Sequence, residues 1–239
     1  MAKADLYRQI LPTLDDWDAY VLENSNLPGP RSNLELLHVV ADLGDERRFR
    51  HFLTFTPDLA PTNTPGEFLA CCGVVGLGRL AAEGRNELFP ELRALAADPR
   101  WRVREGVAMG LHRVGMVDMK RLLTELAGWV NDSWLVQRAV VAGVAEPALL
   151  RRKENVAGAL LLLDATTAHI TTAVDRRDDN FRTLRQALGY AWSVVVVADP
   201  IAGKAAIERW FAVATDDADI RWILRENLKK RRLTAMDAT

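Results

Sequence analysis

The residues able to do chemistry are few and widely spaced. Four histidines, His38, His51, His112 and His169, share no spacing that would gather them around a metal ion, so no metal site is expected. The two cysteines, Cys71 and Cys72, are adjacent in ACCGVV among small and apolar residues. That placement suits thiols filling the core of a buried helix, and it excludes a disulfide framework. The stretch AGKAAIE around Lys204 lacks the glycine spacing and the Ser or Thr of a phosphate-binding loop and reads as a helix start. No serine stands in a Gly-x-Ser-x-Gly turn. These residues imply no cofactor and no assembled catalytic group. The strongest charge feature is RENLKKRRL at 225–233, where Arg225, Lys229 and Arg232 share one helix face beside Lys230 and Arg231. Cations there suit the end of a helix first, and the functional alternative is a patch for phosphate.

The elements that must position these residues are helical. With 239 residues and 49% hydrophobic content the chain can bury a substantial core. Glycine and proline separate segments of helical length, as at PGPRSN (28–33), ADPR (97–100) and ADPIAG (198–203). Within them apolar residues recur at intervals of three and four, such as Leu88, Leu92 and Leu95, or Leu122, Leu126 and Trp129. Alternation of period two is almost absent, and SVVVV (193–197) continues a helical pattern. The fold class is all-α. The N-terminal residues contain scattered charge and no signal-like apolar run, and AGALLLLDA (157–165) and AWSVVVVADP (191–200), taken as the longest apolar stretches, are too short to span a bilayer. A soluble, cytoplasmic protein without a membrane partner is expected. A net charge of −1 argues against a surface that is basic throughout.

Self-comparison shows a repeat. From Asp98 in DPRWRVREGVAMGL, Val103, Arg104, Val107 and Leu111 follow at five, six, nine and thirteen residues. Asp132 in NDSWLVQRAVVAGVA is followed by Gln137, Arg138, Val141 and Ala145 at the same offsets, and Asp179 in DDNFRTLRQALGYAW by Leu184, Arg185, Leu188 and Trp192. In TDDADIRWILRENL, Asp216 precedes Arg221 with one residue fewer. The arginines at 104, 138, 185 and 221 are thus spaced as two-helix units with an insertion between Arg138 and Arg185.

This pattern resembles the HEAT repeat family, most closely over ELFPELRALAADPRWRVREGVAMGL (87–111) and broadly over 85–232. The resemblance implies a right-handed α-solenoid of stacked antiparallel helix pairs, with residues 1–32 as an N-terminal helical cap and 33–239 as one array of about five pairs. It also implies a structural ladder of Asp98, Arg104, Asp132, Arg138, Asp179, Arg185 and Arg221, in which each aspartate caps a second helix and each arginine bonds the aspartate of a neighbouring unit. The second helices of such arrays line a concave surface. Trp101, Trp134, Arg138, Trp222, Arg225, Lys229 and Arg232 are therefore the candidate partner-binding residues, and a protein is the partner first expected of a non-catalytic scaffold. Trp129, Trp192 and Trp210 fall on apolar stripes and belong to the core. A second resemblance, to the alkylpurine DNA glycosylases built from HEAT-like repeats, would make nucleic acid the partner and Asp132 the catalytic carboxylate beside Trp134 and Arg138. The chain lacks the Trp-Trp-Asp element of those enzymes.

Overall fold

Aspartate, asparagine and proline open most of the helices in a computed structural model of the chain, which describes residues 3–236. Among these residues are fourteen α-helices, three short 3-10 turns and no β-strand. The chain divides into two units, Met1–Val114 and Gly115–Thr239, and the terminal residues 1–2 and 237–239 lie outside the described part.

The first unit holds α1 (Lys3–Ile10), α2 (Asp18–Glu23), α3 (Leu34–Leu43), α4 (Glu46–Leu53), α5 (Pro65–Ala82), α6 (Phe89–Leu95) and α7 (Trp101–Val117) as far as Val114. Asn33 caps α3 by accepting from Leu36 N–H at 3.1 Å, and Asp45 caps α4 by accepting from Arg48 N–H at 2.8 Å. Pro65 opens α5, where a missing N–H costs nothing. α5 is the centre of this unit and contacts α2, α3, α4 and α6. By length and composition it is the one described helix that could cross a membrane, which corrects the choice of 157–165 and 191–200 as the longest apolar stretches; 83% of it is buried inside the protein. Its small residues permit this burial on every side. A Cβ on Gly78 would stand 2.2 Å from the Cα of Gly110, so α5 and α7 cross backbone against backbone.

The second unit holds α8 (Met119–Ala127), α9 (Trp134–Val144), α10 (Lys153–Thr171), α11 (Asp179–Ala198), α12 (Pro200–Val213), α13 (Ala218–Leu228) and α14 (Arg231–Met236). SVVVV lies inside α11, which contacts α9, α10, α12, α13 and α14. Trp192 is fully buried and donates its indole N–H to Thr167 Oγ1 at 3.0 Å. Buried Asn227 of α13 accepts from Ser193 N–H at 2.8 Å and donates to the Leu188 carbonyl at 2.8 Å, joining α13 to α11. The long spacing between Arg138 and Arg185 holds the nineteen-residue α10 and the connection 172–178.

Candidate functional site

The motif DPRWRVREG builds the start of α7, and its charged residues point to several neighbours. Asp98 accepts the backbone N–H of Arg100 at 2.7 Å and grips the Arg100 guanidinium through both carboxylate oxygens, at 3.0 and 2.8 Å. Arg100 in turn donates to the carbonyls of Phe55 and Ala60 at 2.7 and 3.1 Å. Arg104 donates to the carbonyls of Asp98 and Pro99 at 2.7 and 2.9 Å, satisfying acceptors in the turn before its own helix.

Between them Arg102 reaches the first turn of α5. Its Nη1 donates to Glu67 Oε2 at 3.1 Å, and Nη2 donates to the Gly29 carbonyl at 2.8 Å. The Glu67 side chain is fully buried; its Oε2 also accepts Asn63 N–H at 2.7 Å, while its Oε1 has no hydrogen-bond partner. A carboxylate so far from water is tolerable only with a cation against it. The guanidinium of Arg102 also lies 4.4 Å from the centre of the Trp101 ring, a cation–π distance.

Trp101, the first residue of α7, remains 46% exposed. It walls a cleft of about 570 Å³ with Tyr7, Leu34, Leu37 and Met109, and Cys71 and Gly106 are among the lining residues. Both signs of charge border this cleft, with Lys3 and Arg31 against Glu35 and Glu105. One wall is held rigid because Asn33 donates to Tyr7 Oη at 2.9 Å while its own oxygen caps α3. Burial, reinforced by the charge of Glu67, pushes the Cys71 thiol well above its ordinary range, and burial does the same to Cys72. Both thiols are therefore protonated at neutral pH and poor nucleophiles.

In the second unit the acidic caps stand one residue away from the expected cap Asp179 and from the repeat position Asp216. Asp178, not Asp179, caps α11 by accepting from Asn180 and Phe181 N–H at 2.6 and 3.1 Å; the Asp179 side chain is 92% exposed. Asp217, not Asp216, caps α13 by accepting from Asp219 and Ile220 N–H at 2.9 and 3.1 Å. Asp132 Oδ1 accepts Ser133 N–H at 2.6 Å, and its carbonyl accepts from Gln137 Nε2 at 2.7 Å; the residue preceding α9 is Ser133. Arg138 is half-buried on α9.

The arginines bond unlike groups. Arg185 of α11 pairs with Asp219 of α13 and lies 4.6 Å from the centre of the Trp222 ring. Arg221 donates to the carbonyls of Ala214 and Thr215 at 3.0 and 3.2 Å, the same local use that Arg104 makes of its turn. Arg176, from the connection 172–178, completes the group by bonding Asp217 at 2.8 Å and Asp219 at 2.9 Å. The Arg176 hydrogen bond, opposed by partial burial, holds the Asp217 carboxyl below its ordinary value.

Trp134 is half-buried, with its ring edge-on to Phe181 at 5.6 Å. Trp129 is buried, and Trp210 is half-buried with its N–H on Asp164 at 3.0 Å. At the C-terminal end Arg225 and Lys229 are exposed, and Lys229 pairs with Glu226 at 2.6 Å. Arg232 donates to Tyr190 Oη at 2.7 Å with its guanidinium 4.6 Å from the ring centre. Of the sequence-chosen residues, Asp98, Trp101 and Arg104 belong to the first unit, and the others lie on or beside α9, α11, α13 and α14 of the second.

Sequence reasoning missed Glu67, Arg102, Arg176 and Asp219. Glu67 carried a signal, being the one carboxylate in the apolar helix TPGEFLACCGVV. The histidines are scattered: His38 lies 3.3 Å from Arg113, His51 lies 2.6 Å from Asp18 and His169 lies 3.0 Å from Gln137. Among the described residues no group of three or more His, Cys, Asp or Glu could hold a metal ion.

No protein-family model matches the chain, and no curated protein matches it. Among solved structures it is similar to a crystallised engineered protein at 15% sequence identity, covering 96% of this chain and 98% of that one with a TM-score of 0.41.

Proposed function

We propose that this protein is a non-catalytic scaffold of the HEAT-like kind, a right-handed solenoid of helix pairs, that binds a segment of a partner protein. The observation that carries the reading is Trp101, an indole left half in water at a cleft of which one wall is fixed by hydrogen bonds. Indoles at such positions supply large contact area at little conformational cost, and they are frequent anchors of protein interfaces. The mixed rim of Lys3, Arg31, Glu35 and Glu105 suits a polypeptide, which carries both signs of charge, better than a polyanion. The repeated Asp and Arg offsets support the repeat reading, and Arg104 and Arg221 each bond carbonyls of the turn preceding their own helix. No cofactor is called for.

The test is photo-crosslinking from position 101 in cells that make the protein, with Leu59, 75% exposed outside the cleft, as the control site. Adducts that map to one segment of one protein from position 101, and are absent from position 59, support the reading. Equal adducts from both sites sink it. Crosslinks to nucleic acid would replace it with the DNA-binding reading, for which Asp132→Ala is the next variant.

A further inference from the structure

We propose that the groove where α12 meets α13 receives an acidic amphipathic helix of a partner protein. α12 buries little of itself: of its fourteen residues only Gly203, Ala206 and Ile207 are buried. Ile201, Phe211 and Val213 remain 84%, 45% and 37% exposed, and Leu228 at the end of α13 is 50% exposed. Phe211, Ala214, Leu224 and Leu228 form the apolar floor of a groove of about 390 Å³, and Arg221 and Arg225 stand on its rim. No carboxylate is among the residues that line it.

The rim charges choose the occupant. Arg221 is held in place by the carbonyls of Ala214 and Thr215, which fix the guanidinium without neutralising it. Arg225 is 64% exposed and lies 3.8 Å from Glu226, a carboxylate that is bonded more closely, at 2.6 Å, by Lys229. Two arginines above an apolar floor match a helix with apolar residues at i, i+3 or i+4 and i+7 and glutamates beside them, because guanidinium pairs carboxylate with two parallel hydrogen bonds. A second copy in a two-fold arrangement would bring this patch against itself and set like charges together. A bilayer is a poor match because the apolar residues form a recess, which admits a row of side chains.

The experiment uses the full chain and a fluorescein-labelled synthetic helix with leucines at i, i+3, i+4 and i+7 and glutamates elsewhere. Its counterpart carries lysines in place of the glutamates. Fluorescence anisotropy should show saturable binding of the glutamate peptide, weakened by added salt, and at least about tenfold weaker binding of the lysine peptide. Phe211→Ser and Arg225→Glu, both at exposed positions, should each weaken binding by about tenfold with unchanged circular dichroism. Trp101→Ala should leave binding unchanged, which separates this groove from the cleft of the first unit. The proposal is overturned if the glutamate peptide fails to saturate, if the lysine peptide binds as well, or if neither groove variant matters. Displacement of the peptide by anionic vesicles or duplex DNA, or loss of binding in Trp101→Ala, overturns it too.

Discussion

Arg102 is what makes a wholly buried Glu67 tolerable, and the pair invites a double-mutant cycle. Arg102→Met leaves the carboxylate without its cation and should cost about 3–5 kcal/mol in urea denaturation, whereas Arg102→Met with Glu67→Gln should recover a large part of that loss. Equal losses in the single and double variants would mean that the pair contributes through shape alone. Asp217 offers a second test at this scale. Arg176 lowers its carboxyl below the ordinary 3.8, so the stabilisation is complete above that value and is lost as pH falls through the lowered one. Wild type should therefore lose stability more steeply than Arg176→Ala as pH falls below about 4, and parallel curves would contradict the assignment. At this scale the sequence placed a carboxylate within one residue of the caps of α11 and α13, Asp178 and Asp217, but misplaced the start of α9, whose N-cap is Ser133 and not Asp132. It could not show that Arg102 meets Glu67 or that Arg176 meets Asp219, because those meetings are set by how segments 35 and 43 residues apart are brought together.

Helices were legible because their signals are local: apolar residues three and four apart, prolines at the first turn and oxygen-bearing caps. The one-residue displacements at Asp178 and Asp217 arise within acidic runs, where sequence offers adjacent carboxylates and backbone geometry selects the cap. Crossings between helices were less legible, since a glycine in a helix reads locally as a weakness. Gly78 and Gly106 separate the two cases. A Cβ at Gly78 collides with the backbone of Gly110, so Gly78→Ala should destabilise by about 1–3 kcal/mol. A Cβ at Gly106 meets its nearest atoms at an ordinary 3.5 Å, so Gly106→Ala should be neutral or stabilising by up to about 1 kcal/mol. Thermal or urea unfolding of both variants checks the contrast, and similar losses at the two positions would deny that the α5–α7 crossing depends on Gly78.

For the molecule as a whole, the balance of charge bears on which partner it takes. Thirty-one basic residues face thirty-two acidic ones, and the densest basic run is partly engaged by its own neighbours: Lys229 by Glu226 and Arg232 by Tyr190. Phosphate binding gains free energy by releasing counterions, and each phosphate neutralised adds about 0.9 to the salt slope. Cations held by internal partners contribute less, because binding must first disrupt those contacts. Intrinsic fluorescence from the seven tryptophans should therefore show no saturable response to short duplex DNA at moderate salt, and at low salt only a weak response that is the same with and without an abasic site. Trp101 and Trp222 lie on different units, each within cation–π distance of an arginine, so each unit carries an indole beside a cation. Binding that tightens for the damaged duplex and disappears in Asp132→Ala would establish a role in DNA repair in place of the scaffold. An unchanged signal directs attention to Trp101 and the Phe211 groove, where apolar surface and charge favour polypeptide.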